Sequence, residues 1–275
     1  MNRPLIAPLD SMAAWQAATR LVSANADVLM AIAGVFFLLP LLAGGIFVPQ
    51  PVIPPQATQA QLAEALEAYY TRTWPYLLPI SLIQIVGFIT MMVSILDRTR
   101  PTVGQALRNC MVRVPVYFLA QLVIGAFAML LMMVVSGVLL GLRMPAALAA
   151  AAGLAAVAYP MLRTIMVGPV LGVGRTQNPI MAIRASLALT RGNTARILTF
   201  LGLAAIVFLV ALSVAMMIVG LVSAQLLGAE SEAARLLNTA VSALLYAVGY
   251  TYFAAMLAAI HGQLTKDLPR PFDRG

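Results

Sequence analysis

The chain has 275 residues, 62% of them hydrophobic and 9% charged, with a formal net charge of +8 and a mean hydropathy of +0.94. Water-soluble domains carry roughly 25% charged residues, so this composition excludes a soluble domain and points to an integral membrane protein. Nucleic acid is excluded as a partner, because no basic run is long enough to follow a phosphate backbone; sixteen of the 17 cations are arginines, standing singly at the ends of apolar stretches.

A hydrocarbon core of roughly 30 Å needs about 20 mainly apolar residues to cross it. In chain order, "DSMAAWQAATRLVSANAD" (10–27) predicts a short helix over 11–25, capped by Asp10 or Ser11, ahead of a first span, Val28–Val48. That span starts late, is long, and has no small-x-small cleavage site close behind it, so it reads as a retained helix and not a signal peptide. The loop 49–74 opens with prolines and continues as a short helix from about Gln59, carrying Glu64 and Glu67. Tyr69, Tyr70, Trp74 and Tyr76 cluster where it meets the second span, Pro75–Leu96, as aromatic residues do at headgroup depth.

"RPTVGQALRNCMVRVP" (100–115) predicts a helix over 102–114, with Thr102 and Gln105 at capping-box spacing. The third span, Pro115–Leu142, and the fourth, Ala146–Gly174, flank a tight turn at Arg143–Pro145. The third to fifth spans exceed the needed length and must tilt or project. The fourth begins with small residues, which favour close helix packing. It continues through Pro160, Arg163 and Pro169, and Pro169 is expected to kink or end the helix. Gly137 with Gly141, and Gly168 with Gly172, match a small-x-x-x-small pattern, a weak signal in so Gly- and Ala-rich a chain.

Arg163 lies 11 residues before Gly174, about 16 Å of helix. A charge near mid-membrane costs at least about 2.5–3.5 kcal/mol, so it is expected to face the bundle interior and find a polar neighbour. Gln84, at similar height in span two, is the favoured one; Gln121 is shallower.

"NPIMAIRASLALTRGN" (178–193) predicts a helix over 179–191, with Asn178 as cap, Pro179 in the first turn and Gly192-Asn193 as stop. Ile180, Ile183 and Leu187 form an apolar stripe edged by Arg184 and Arg191, a pattern suited to a helix at the membrane boundary or one packed beneath the spans. The fifth span, Ile197–Gly228, a short acidic loop "AESEAAR" and the sixth span, Leu236–Ile260, complete the layout.

The expected fold is thus all-α: six transmembrane helices with three interfacial helices on the cytoplasmic side, in one domain over 1–275. With the N-terminus cytoplasmic, thirteen cations fall on that side: Arg3, Arg20, Arg98, Arg100, Arg108, Arg113, Arg175, Arg184, Arg191, Arg196, Lys266, Arg270 and Arg274. Only Arg72, Arg143 and Arg235 fall outside. This bias places both termini in the cytoplasm.

Cys110 excludes an internal disulfide and a cysteine cage, and reads as a small apolar residue near the interface. His261 reads as an end-cap after the last apolar stretch. No metal or cofactor site is expected. Ser81, Ser136 and Ser213 have no neighbouring base in sequence, which ranks a membrane enzyme lowest. Arg108, Arg113, Arg184, Arg191 and Arg196 are candidate contacts to lipid headgroups or to a membrane-protein partner.

At "YPMLRTIMVGPVLGVGRTQNPIMAIRASLALTRGNTARIL" (159–198) the chain resembles the membrane domain attached to some bacterial glycerophosphodiester phosphodiesterases, which also occurs as stand-alone proteins. Arg163, Pro169 and Pro179 resemble the first part of that family's pattern. Ala182, Arg184, Ser186, Leu189, Thr190 and Gly192 match every fixed position of the second, Ala-x-Arg-x-Ser-x-x-Leu-Thr-x-Gly. Leu187 stands where an aromatic residue is common, and Leu171–Gly174 lack the family's usual acid.

The resemblance implies a six-span domain in the bacterial inner (plasma) membrane. The family's phosphodiesterase chemistry resides in a separate soluble barrel that binds a metal through acids and histidines, and this chain's single histidine cannot supply it. The leading expectation is a non-enzymatic module, a scaffold or anchor for lipids or a membrane partner. The alternative is a transporter or channel for a lipid-like or small solute, built on the kinked fourth span and Arg163.

Overall fold

With few polar residues to break them, the apolar segments fold into long helices. A computed structural model describes residues 8–48, 56, 58–97, 102–174, 176–228 and 231–265. The prolines at the start of the loop 49–74 lie outside the described residues. So do Arg3, Arg98, Arg100, Arg175, Lys266, Arg270 and Arg274, and with them half of the cation bias. Among the described residues the structure is all-α, without a strand.

Six helical stretches are long and apolar enough to cross a membrane. The first, Ala26–Phe47, comprises α2 (Ala26–Ala33), a π-helical turn (Gly34–Leu38) and α3 (Leu39–Phe47). The second lies in α4 (Gln59–Leu96), the third is α6 (Arg113–Gly141), and the fourth joins α7 (Ala146–Thr164) to α8 (Val167–Gly172). The fifth and sixth are α10 (Thr194–Leu227) and α11 (Glu232–Thr265). Short helices α1 (Ser11–Ala24), α5 (Val103–Cys110) and α9 (Pro179–Leu189) precede spans one, three and five, so all three lie at one end of the bundle, the short-helix end.

The caps follow the sequence. Asp10 accepts the Ala13 N–H, Thr102 and Gln105 close a capping box, and Asn178 accepts N–H groups of Ile180 and Met181.

One helix departs from expectation, and another breaks where a kink or end was expected. The short helix expected from Gln59 and the second span form one continuous helix of 38 residues through Pro75 and Pro79. The two prolines lie four residues apart, so the backbone bonds they forfeit fall on one face and the rest of the helix carries through. The fourth span breaks at Ile165–Met166, ahead of Pro169. Pro169 has no N–H for the carbonyl four residues back, at Ile165, and its ring clashes there. It sits instead in the first turn of α8, where an N–H is not needed.

The main core lies at the short-helix end, where Leu9, Ala14 and Ala18 meet Met166–Leu171, Ala182, Ile197 and the end of α11 from Ala255 to Leu264. His261 is buried in that core within α11, which runs on to Thr265, rather than capping the end of an apolar stretch. The chain's beginning is clamped there. The Leu9 N–H donates to Asn193 Oδ1 (2.9 Å), and Gln263 both accepts from the Asp10 N–H and donates to its carbonyl (3.2 Å each). Packing thins toward the other end. In the most apolar stretch of α10 no residue is buried, and in that of α6 only 6%, against 56% in α11.

Candidate functional site

The break in span four leaves backbone groups without helical partners, and α9 supplies substitutes. Ser186 Oγ donates to the Arg163 carbonyl (2.8 Å) and accepts the Met166 N–H (3.2 Å), bridging both sides of the break. Thr190 Oγ1 also lies within bonding distance of the Arg163 carbonyl (3.2 Å). Both hydroxyl residues are fully buried. Ala182, Ser186 and Leu189 form the buried face of α9, while Ile180 and Met181 stay exposed. Of the apolar stripe read from the sequence, Ile180 is exposed while Ile183 and Leu187 are half-buried; the fully inward positions are held largely by small residues, which let α9 approach α8 closely.

Arg163 closes the other half of this arrangement. Its Nε donates to Thr190 Oγ1 (3.3 Å), its Nη2 to the Leu187 carbonyl and its Nη1 to the Tyr159 hydroxyl (3.4 Å). The Tyr159 ring stands 5.9 Å from the guanidinium carbon. Leu187 belongs to the last turn of α9, whose carbonyls have no helical partner and carry the negative end of the helix dipole. Arg163 thus caps a helix C-terminus.

The expected setting for Arg163 is not what the structure contains. Arg163 is half-buried on the seam of α7 and α9, and Gln84 is not among its partners. It also lies in the last turn of a 19-residue helix, about 28 Å long. Gln121 bonds to the Tyr117 hydroxyl on its own helix.

A second arginine repeats the capping pattern. Arg113 Nη1 donates to the Gly172 carbonyl at the end of α8 (2.6 Å). Its guanidinium packs on Gly174, whose φ is +74°, and a Cβ there would stand 2.7 Å from Nη2. Arg113 and Arg108 come together in a recess of about 350 Å³ with Asn109, Gly174, Thr176 and Gln177. Arg184 and Arg191 are exposed elsewhere on the same end. Arg196 donates to the Leu9 carbonyl (3.4 Å).

On the side of the bundle, α1, α10 and α11 enclose an open apolar groove of about 580 Å³, lined among others by Trp15, Phe208 and Tyr252. Trp15 and Tyr252 stack there at 6.2 Å between ring centroids.

Ser136, Ser81 and Cys110 have structural partners, whereas Ser213 is exposed on α10. Ser136 donates to the Ala149 carbonyl across α6 and α7 (3.1 Å), and Ser81 to the Leu77 carbonyl (2.8 Å). Cys110 is buried, accepts from Thr90 Oγ1 (3.2 Å) and donates to the Leu107 carbonyl (3.0 Å). Burial pushes its thiol above the usual range, against the lowering pull of Thr90 and the Arg113 charge. No three acids, histidines or cysteines gather as a metal site among the described residues.

The roles of Ser186, Thr190, Asn193 and Gln263 were missed by sequence reasoning. The motif of residues 182–192 flagged the first two as pattern without telling what they bond. Comparison with known protein families, curated proteins and solved structures finds no match.

Proposed function

We propose that the chain is a non-enzymatic module of a bacterial inner membrane, a scaffold or anchor that engages lipids or a membrane partner. Both termini lie in the cytoplasm, and α1, α5 and α9 lie at that membrane face. The observation that carries this reading is the unpacked surface of α10, together with that of α6. Unburied apolar helices of this length must meet acyl chains or another protein's helices. The capping work of Arg163 supports a structural rather than a chemical role for that charge. The cation bias supports the orientation, and the resemblance at 159–198 supports the class.

The test is a photoreactive side chain at Met217 of α10, 68% exposed, in the full chain held in native membrane. Crosslinks to one partner or to lipid are expected, with none from the same group at buried Ala255. The transport reading draws on the break at Ile165–Met166. Solute flux in liposomes that a normally folded Arg163→Ala variant loses would establish it and displace the module.

A further inference from the structure

Resting on the module reading, we propose that the recess between the α5–α6 junction and the loop after α8 binds a phosphate-bearing anion, the headgroup of an anionic phospholipid. Two guanidinium groups reach it from adjacent elements: Arg108 from the last turn of α5 and Arg113 from the first turn of α6. No acid lines it. Arg113 is fixed by its bond to Gly172 and by its seat on Gly174, so its position is set before any ligand arrives. Arg108 is exposed and makes no hydrogen bond or ion pair with a described residue, so its five donors are unspent.

The polar remainder of the lining fits an anion. Thr176 Oγ1 accepts the Asn178 N–H (3.1 Å), which leaves its hydroxyl proton to donate, and Asn109 and Gln177 add amide donors. The start of α6 at Val112 borders the recess without a side-chain cap, and brings the positive end of a 29-residue helix dipole.

The recess also continues into apolar surface. Val112, Val116, Leu119 and Val123 follow one face of α6 away from it at helical spacing, and all four are at least partly exposed. A phosphate held by Arg108 and Arg113 therefore leaves acyl chains lying along a strip on which Val112, Leu119 and Val123 stay exposed among the described residues, with Val116 partly packed on the core. Basic pockets at the ends of membrane helices recognise anionic headgroups in this manner.

Native mass spectrometry of the full chain, delipidated and then titrated with phosphatidylglycerol, phosphatidylcholine or inorganic phosphate, tests the proposal. Phosphatidylglycerol is expected to be retained over phosphatidylcholine, with Arg108→Gln weakening it about tenfold. Arg108→Lys should recover part of that loss, and Arg191→Gln, an equal charge change outside the recess, should cause none. Inorganic phosphate that binds in an Arg108-dependent way, without any lipid preference, supports the anion site and assigns it to a soluble phosphate. Equal effects of Arg108→Gln and Arg191→Gln, or no preference for either anion, overturn it. That failure leaves the crosslinking result at Met217 untouched, whereas solute flux would displace the module even if the recess bound lipid.

Discussion

Ser186 touches the two backbone groups nearest the break in span four, and its removal exposes what the break costs. Ser186→Ala removes the partner of the buried Met166 N–H and one of the two hydroxyls at the Arg163 carbonyl. The expected loss is about 1–3 kcal/mol for such an orphaned group, read as earlier thermal unfolding in detergent. Ser81→Ala, which removes a bond within one exposed helical turn, should change little. Arg163→Gln keeps polarity but loses the fork and the charge at the α9 terminus, and is expected to destabilise by about 1–2 kcal/mol. Arg163→Lys should fall between the two in the same assay.

At the same scale, Cys110 pairs burial with a raised thiol pKa, so little thiolate exists near neutral pH and reagents cannot reach it. Maleimide should modify it only after unfolding. These assignments were half legible. The fixed positions at 182–192 could be read as a pattern, but the partner of each hydroxyl depends on where the preceding helix breaks. Only the three-dimensional course of α7 and α8 reveals which carbonyls are orphaned.

Among the helices, the glycine pairs separate into used and unused. Gly168 and Gly172 lie against α4: a Cβ at Gly168 would stand 2.5 Å from the Phe88 ring, and one at Gly172 2.8 Å from the Met92 Cβ. Gly137 and Gly141 have nothing within 4 Å. Gly168→Leu is therefore expected to lower folded yield sharply, while Gly137→Leu leaves it intact, measured by size-exclusion profiles of the two variants. The sequence could not rank these pairs, since spacing alone does not say which face meets a neighbour.

The spans themselves were legible, because length and hydropathy have few other solutions in a chain this apolar. The second was misread at its outer end because prolines at 75 and 79 resemble a boundary; they are tolerated inside α4. The packing face of α9 was left open by the sequence. Its large aliphatic residues suggest burial by the rule for water, whereas beside lipid the close approach of Ala182 and Ser186 decides the contact.

Taken whole, the molecule is packed at one end and bare along two spans. An even number of spans returns the chain to the side where it started, and the bonds between Gln263 and Asp10 hold those two segments together. Reporters joined ahead of residue 8 and after residue 265 should therefore read the same compartment, and the cation bias expects it to be the cytoplasm. A split result would contradict the six-span course. The expected orientation rests on arginines at many sites. The clamp was not legible in the sequence, since Asn193 and Gln263 lie more than 180 residues from the backbone they bind.

That clamp also dictates an order of events during synthesis. The first helix emerges from the ribosome with its docking surface unmade, because Asn193, Phe200 and the tail of α11 are translated last. The nascent N-terminal segment cannot dock until the final hairpin is made, and only then can the tertiary fold lock. A chain arrested at Leu227 would carry five inserted helices and a loose beginning, open to proteases and to membrane chaperones that the finished protein no longer attracts.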